Sequence, residues 1–286
     1  TVAAGATLDL NFSGTRMIRQ LWLGDQWMPL GFYSAASGLG FITGSGAIMV
    51  TVGPNATNIL GYGAVPDASS DARAAINTAI ASASAGDTVY FPAGVYSISG
   101  PIFAKSGVRL EGATSGSSVL RYDGTTTDVM LALREVSNVT VSHLIFDGNN
   151  STNVSQGIEA KTGSGHRLEN LTVRNIGNTP NIFGPHGIIF DWGLTDSEIL
   201  NCTIQTIGTG NAYGAGIRIG HGSSRNRITD NIINGTGRGG ILCNDGSTDL
   251  VILRNTVSGS GGEGLGIELW HGCDRGLVED NVIDHW

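Results

Sequence analysis

The residues with the means to do chemistry fall in the second half of the chain and return at a regular beat. Glu159, Asp191 and Glu268, with Arg218 between the last two, are joined by His186, His221 and His271, by Asp245, and by Trp192, Tyr213 and Trp270. Two carboxylates flanking a glycosidic bond can divide the roles of general acid and general base. An arginine beside them can hold a sugar carboxylate or neutralise charge that develops in the transition state. Histidines can transfer protons, and aromatic rings can stack on pyranose faces. Asp191, Glu159, Arg218, His186 and Glu268 are therefore the candidate catalytic groups. Trp192, His221, Asp245, Trp270, His271 and Tyr213 are the candidate substrate-binding groups.

Such residues work together only if the fold gathers them, and the repeat supplies the means. A Gly-Ile phrase begins at Gly157, Gly187, Gly216, Gly240 and Gly266, in steps of 30, 29, 24 and 26 residues. Asn170, Asn201, Asn231, Asn255 and Asn281 keep the same phase, in steps of 31, 30, 24 and 26. Two phrases locked at this period, with no helical pattern between them, describe coils of short strands stacked about 4.8 Å apart into parallel sheets.

Within the phrase the period is two. Ile158 and Ala160, Ile188 and Phe190, Ile217 and Ile219, Ile241 and Cys243, and Ile267 and Leu269 are expected to point inward. One outward column then holds Glu159, Ile189, Arg218, Leu242 and Glu268; the next holds Lys161, Asp191, Gly220, Asn244 and Trp270. Glu159 and Asp191 lie one coil apart and two residues offset. That separation is roughly 8 Å, inside the window of about 6.5–9.5 Å for an inverting glycosidase. Trp192, His221, Asp245 and His271 form a strip at equivalent positions. The alternative is a flat, solvated sheet face with Arg218 simply paired to Asp191. The asparagines read as a turn column of left-handed residues whose amides bond from coil to coil.

Composition agrees with a turn-rich all-β chain. Its 286 residues include 44 Gly and 7 Pro, and 14% are charged. A net charge of −8 argues against nucleic acid or an anionic membrane as a general partner. No apolar run is long enough to span a bilayer. Thr1 is not an initiator Met, so the absence of a signal peptide says little. Cys202, Cys243 and Cys273 make no disulfide framework, and Cys243 falls in the inward column as a buried thiol. No His/Cys set has metal-ligand spacing, so no metal site is assigned. Sequons at Asn138, Asn170, Asn201 and Asn234 read as by-products of the Asn- and Thr-rich repeat.

Residues 1–56 read as a small β module. Strand-like alternation occurs at Thr7–Phe12 and Ala47–Val52, and Trp22, Trp27, Phe32 and Tyr33 supply its core around Gly24-Asp25-Gln26. Residues 57–286 read as the solenoid, with a cap over 57–100. In the cap, Ser70 is the expected helix N-cap; Ala72, Ala75, Ile76, Ala79, Ile80 and Ala83 share one helical face. A strand, the Pro92-Ala93-Gly94 turn and a second strand follow. The helix would cover the exposed end of the stack.

The first coils use Val108–Leu110, Val119–Tyr122, Val129–Leu133, Val139–Val141 and Leu144–Phe146. Insertions at Asn149–Ser155 and Gly177–Pro185 are expected to wall a groove. Gly235–Gly240 and Gly259–Gly264 match G-x-G-x-x-G, but a strand rather than a helix follows each, so they are turns. The final coil, ending at Trp286, looks incomplete.

The run Gly61-Tyr62-Gly63-Ala64-Val65-Pro66-Asp67 through Gly94-Val95-Tyr96 resembles the N-terminal cap of the pectate-lyase-like right-handed parallel β-helix superfamily. The nearest branch is the one shared by bacteriophage tailspikes and secreted polysaccharide-degrading enzymes. The resemblance implies a β-helix acting on an extracellular or cell-surface polysaccharide, as a glycoside hydrolase or a polysaccharide lyase. The setting would be a secreted enzyme or a phage virion, the latter with a homotrimer. Ca²⁺ would enter only for a lyase, and no tight acidic cluster is evident to hold it. A non-catalytic carbohydrate-binding spike is the alternative class, and a uronate C5-epimerase is a further one. Phe183-Gly184-Pro185-His186 resembles the Asp-Pro-His signature of mannuronan C5-epimerases, but Gly184 stands where that family has Asp.

Overall fold

The computed structural model describes residues 1–18, 21–24, 26–28, 31–37, 39–50, 56–114, 116–178, 184–210, 213–259 and 264–284, without the side chains of Gln26 and Trp27. Asp25, the Trp27 ring, Val52, Phe183 with most of the Gly177–Pro185 insertion, the middle of Gly259–Gly264, and Trp286 lie outside them.

The described chain winds as a parallel β-solenoid. Three sheets of nine, nine and seven strands run along the axis; seven coils contribute one strand to each, and the first and last described coils contribute to the first two only. One coil, for example, passes from Glu198–Leu200 in the first sheet to Thr203–Ile207 in the second and Ala215–Ile219 in the third. Neighbouring coils pair in register through the Gly-Ile phrase, with Ile158 opposite Ile188, then Ile217, Ile241 and Ile267. The inward residues form one continuous core, in which Ile188, Phe190, Ile217, Ile219, Ile241 and Cys243 are fully buried. Leu269 departs from this expectation and is 45% exposed, because its strand Leu265–Leu269 is paired on one side only.

The glycine of the phrase is needed for space. A Cβ on Gly187 would lie 2.6 Å from both the Ile204 Cγ2 of the second sheet and the Gly216 carbonyl of the next coil. Gly157 and Gly216 meet the same kind of obstruction from Val173 and Ile233. Gly187→Ala should therefore destabilise the fold by about 2–3 kcal/mol, read as a lower denaturant midpoint, because neither the strand nor the isoleucine can retreat in a close-packed core.

The corners are left-handed. Non-glycine residues with positive φ fall into columns: Thr162, Trp192, His221, Asp245 and His271 in one, Asp196, Arg225, Asp249 and Arg275 in another, and Asn170, Asn201, Asp230, Arg254 and Asp280 in a third. The asparagine phrase is thus split. Asn170 and Asn201 sit at the exposed left-handed corner, where the Asn201 amide donates to Asn170 Oδ1 at 2.6 Å. In later coils Asp230, Arg254 and Asp280 take that corner, and Asn231, Asn255 and Asn281 move one place inward. There Asn231 and Asn255 are buried, and Asn255 Oδ1 accepts from the Asn231 backbone and amide while Asn281 Oδ1 accepts from Asn255 in the same way. The single turn column expected from the sequence is two structures, one solvated and one interior.

The cap helix spans Arg73–Ser82 and buries Ile76, Ala79 and Ile80 against the stack. Ser70 is not its N-cap. It lies in the strand Asp67–Asp71, and Asp71 Oδ1 instead accepts the Arg73 N–H at 3.0 Å. Asn149–Ser155 is no free loop either: the strands Leu144–Ser151 and Val154–Lys161 absorb it, leaving a tight turn. Ahead of the solenoid, small sheets enclose a separate cluster that includes Leu10, Leu21, Met28, Tyr33, Ile48 and Val50. Tyr33 is fully buried in it, whereas Trp22 is on the surface. Among the described residues no helix is long and apolar enough to cross a membrane.

Candidate functional site

The outward face of the third sheet is neither flat nor solvated. Glu159, Ile189, Asp191 and Leu242 point away from the core yet are each under 5% exposed, since their own neighbours and the adjacent corner close over them. Two cavities open on this face, of about 380 Å³ and 260 Å³, and Arg218 lines both. The first also takes Glu159, Asp191, Trp192 and His221; the second takes His186, Tyr213, Asp245, Glu268 and Trp270. Ten of the eleven residues singled out in the sequence thus border one groove, and His271 lies just outside it.

At the centre, Asp191 Oδ1 is 2.6 Å from His221 Nδ1. The pairing follows from the wind: Asp191 ends the strand His186–Asp191, and His221 occupies the left-handed corner one coil on. Trp192, at the equivalent corner, stacks on the His221 ring with centroids 4.7 Å apart and planes 6° from parallel. With Nδ1–H donating to the carboxylate, His221 Nε2 carries the lone pair and can accept a proton.

Arg218 is not paired with Asp191. Its Nη2 donates to Asp245 Oδ2 at 3.2 Å, and Nε and Nη2 each reach Asn244 Oδ1 at 3.3 Å. The groups converge over Gly220, where a Cβ would stand 3.0 Å from Asp191 Oδ1, 3.2 Å from Asn244 Oδ1 and 3.4 Å from Arg218 Nη2. This glycine leaves the floor of the groove open.

Glu159 and Asp191 sit in adjacent coils two residues apart, as expected, because Lys161 pairs with Asp191. Glu159 is not a free acid, however. Lys161 Nζ holds its Oε1 at 2.6 Å and Arg134 Nε holds its Oε2. Glu268 is likewise engaged, by Arg238 Nη2 at 2.8 Å. His186 is buried as the first residue of its strand rather than ahead of it. Its Nδ1 accepts the Ala215 N–H at 3.1 Å, which leaves the proton of a neutral ring on Nε2. His271 Nδ1 is 3.1 Å from Asp245 Oδ1, and its ring leans on Trp270.

Arg134, Gln156, Asn244 and Arg238 were not singled out by sequence reasoning. Arg134 was findable, since it is the coil neighbour of Lys161 in register. Arg238 precedes its strand and carries no positional signal. The acids of the groove are each committed to a cation or histidine, and among the described residues no cluster of three or more His, Cys, Asp or Glu could hold a metal. This donor set does not suit Ca²⁺.

The other two corners show what this one is not. There Arg225 holds Asp196, Arg275 holds Asp249 and Arg254 holds Asp230 in two-point pairs at 2.7–2.9 Å. Those columns are staples from coil to coil. The groove corner carries Trp, His, Asp and His instead.

Comparison with known proteins bears on the family and the fold. Mannuronan C5-epimerase AlgE5 of Azotobacter vinelandii is 31% identical over 229 residues, covering 72% of this chain and 22% of that protein. The chain spans only 6–22% of the length of the curated epimerases that it matches. Among solved structures, the N-terminal fragment of bacteriophage phi29 gene product 12 superposes with a TM-score of 0.60 at 19% identity, over 80% of this chain and 43% of that one. The Dettilon tailspike protein gp208 gives 0.55 at 16% identity, over 76% and 47%. These structural likenesses speak for the fold. Residues 56–283 match the rhamnogalacturonase A/epimerase, pectate lyase-like family, and this chain belongs to it.

Proposed function

We propose that this chain is a polysaccharide depolymerase of the lyase kind, acting on a uronate-containing extracellular or cell-surface polysaccharide. The observation that carries the reading is the Asp191–His221 pair beside Arg218 in an open groove. Asp191 accepts a hydrogen bond from Nδ1–H and orients the ring; His221 Nε2 takes the C5 proton, α to the uronate carboxylate. Arg218, with Lys161 two coils back on the same sheet face, neutralises the charge that builds on that carboxylate. The electron pair from the C–H bond forms C4=C5, the C4–O glycosidic bond breaks, and the leaving oxygen takes its proton from solvent. Trp192 and Trp270, 58% and 56% exposed, offer flat faces to sugar rings along the groove.

Hydrolysis by paired carboxylates fits less well. Both oxygens of Glu159 are held by cations and Asp191 is committed to His221. C5-epimerisation shares the first proton abstraction and differs in returning a proton to the other face; the AlgE similarity favours keeping it as a second reading, although Gly184 replaces the signature Asp. A tailspike-like setting, with a homotrimer, or secretion belongs to the same proposal.

The test is incubation with a panel of polyuronates and neutral polysaccharides in D₂O. Unsaturated-uronate absorbance rising together with new reducing ends is the expected result. Reducing ends without the absorbance would mean a hydrolase, deuterium at C5 without cleavage an epimerase, and retention without either a binder.

A further inference from the structure

The groove face runs on beyond both cavities toward the cap. In register behind Glu159 come Ala132 and then Phe103, and behind Lys161 comes Arg134. Ile102, Leu131 and Leu133 alternate with them and are fully buried, so Phe103, Ala132 and Arg134 point outward. Phe103 lies three coils from Ile189 and Arg134 two coils from Asp191, displacements of about 14 Å and 10 Å. Phe103 is 50% exposed and the Arg134 side chain 45%. Ala132, between Phe103 and Glu159, contributes only a methyl group, which leaves the face open between ring and guanidinium. Glu159 is here one buried acid shared by two cations: Lys161 Nζ holds Oε1 at 2.6 Å and Arg134 Nε holds Oε2. With Oε1 on the lysine, Glu159 cannot also take the far end of the guanidinium. Arg134 Nη1 and Nη2 therefore make no hydrogen bond to a described residue, and Glu135 at the adjoining corner pairs with neither cation.

We propose that Arg134 and Phe103 form a distal uronate subsite on the cap side of the groove. The Nη1–Nη2 edge of Arg134 takes a sugar carboxylate in a two-point pair, and the Phe103 ring carries the face of the adjoining pyranose. This rests on the uronate reading above and deepens it, adding a specificity determinant away from the reacting pair. Arg134, Lys161 and Glu159 together carry one net positive charge, which a single uronate carboxylate neutralises. Glu159 need not move for this to happen. It grips Nε and holds the guanidinium in place, which lowers the ordering cost of binding and makes Glu159 a positioning residue rather than an acid. A neutral sugar can stack on the ring but brings no anion to the guanidinium.

Binding of end-labelled octamannuronate and octagalacturonate, with cellohexaose as the neutral control, is followed by fluorescence anisotropy beside turnover at saturating octauronate. Arg134→Gln should weaken octauronate binding by about tenfold and leave cellohexaose unaffected. Phe103→Ala should weaken octauronate binding by about threefold to tenfold. Arg134→Lys keeps the charge without the fork and should recover only part of the loss. Turnover at saturation should stay within about twofold of wild type in all three, which also shows the groove intact. Octauronate binding unchanged in Arg134→Gln or in Phe103→Ala, while wild type still cleaves the same chains, overturns the subsite and leaves the lyase reading standing. An equal loss for cellohexaose in Arg134→Gln overturns the charge recognition, and so does a collapse of turnover with binding intact. Wild-type protein that fails to prefer the octauronates over cellohexaose sinks the uronate reading and the subsite with it.

Discussion

Asp191→Asn should lower turnover of a polyuronate by about 10⁴-fold while leaving its binding nearly intact, by analogy with the loss seen when a catalytic histidine's orienting aspartate becomes an amide. The carboxylate accepts from His221 Nδ1 at 2.6 Å. An amide in its place can present N–H to the ring, favouring the tautomer with its lone pair on Nδ1 and its proton on Nε2. The base then faces the substrate already protonated. Asp191 is 4% exposed, so thermal denaturation of the variant must accompany the kinetics. His221→Gln removes the base without disturbing the buried acid and should lose activity to a similar degree. Steady-state cleavage rates beside oligouronate binding separate the two effects; turnover within tenfold of wild type would leave the dyad without its assigned role.

The largest stability effect away from the apolar core is expected at Asn255. Its Oδ1 accepts from the Asn231 backbone and amide at 3.0 and 2.9 Å, and its Nδ2 donates to the Ile228 carbonyl and Asn281 Oδ1, each at 2.9 Å. Asn255→Ala leaves the Asn231 N–H and the Ile228 carbonyl buried without these bonds, costing about 3–5 kcal/mol. Asn201→Ala loses one exposed amide bond and places alanine at φ 50°, for about 1 kcal/mol. Chemical denaturation of the two variants side by side should show the difference. Equal costs would mean that the interior ladder is no more important than the solvated corner.

These two asparagines show how far the sequence is legible. Both belong to one phrase, and the letters carry only an ambiguous trace of the slip: the asparagines outstep the glycines by one residue from Asn170 to Asn201, where no slip occurs, and again from Asn201 to Asn231, where one does. The slip occurs where Asp230 and Arg254 take the outer corner and pair with each other, freeing the next residue to turn inward. That exchange depends on what the adjacent coil presents. The Ser70 cap failed for a similar reason: a strand pairing claimed the residue first, and Asp71 served the helix.

The site was legible as a list and as a set of columns. Period and parity placed Glu159, Asp191, Arg218 and Glu268 on one face and Trp192, His221, Asp245 and His271 at one corner, because parallel in-register stacking converts spacing along the chain directly into position along an axis. Partnership was not legible. Whether Arg218 turns to Asp191 or to Asp245, whether Glu159 is free or held by Lys161 and Arg134, and whether His221 meets a carboxylate are settled by rotamers over a few ångströms. By itself, then, the sequence determined the wind, the core and the address of each candidate, since those follow from backbone pairing and apolar periodicity. Only the tertiary structure decided which charges are spent on each other and which remain for a ligand, because side-chain contacts across coils depend on neighbours 24 to 31 residues away at once.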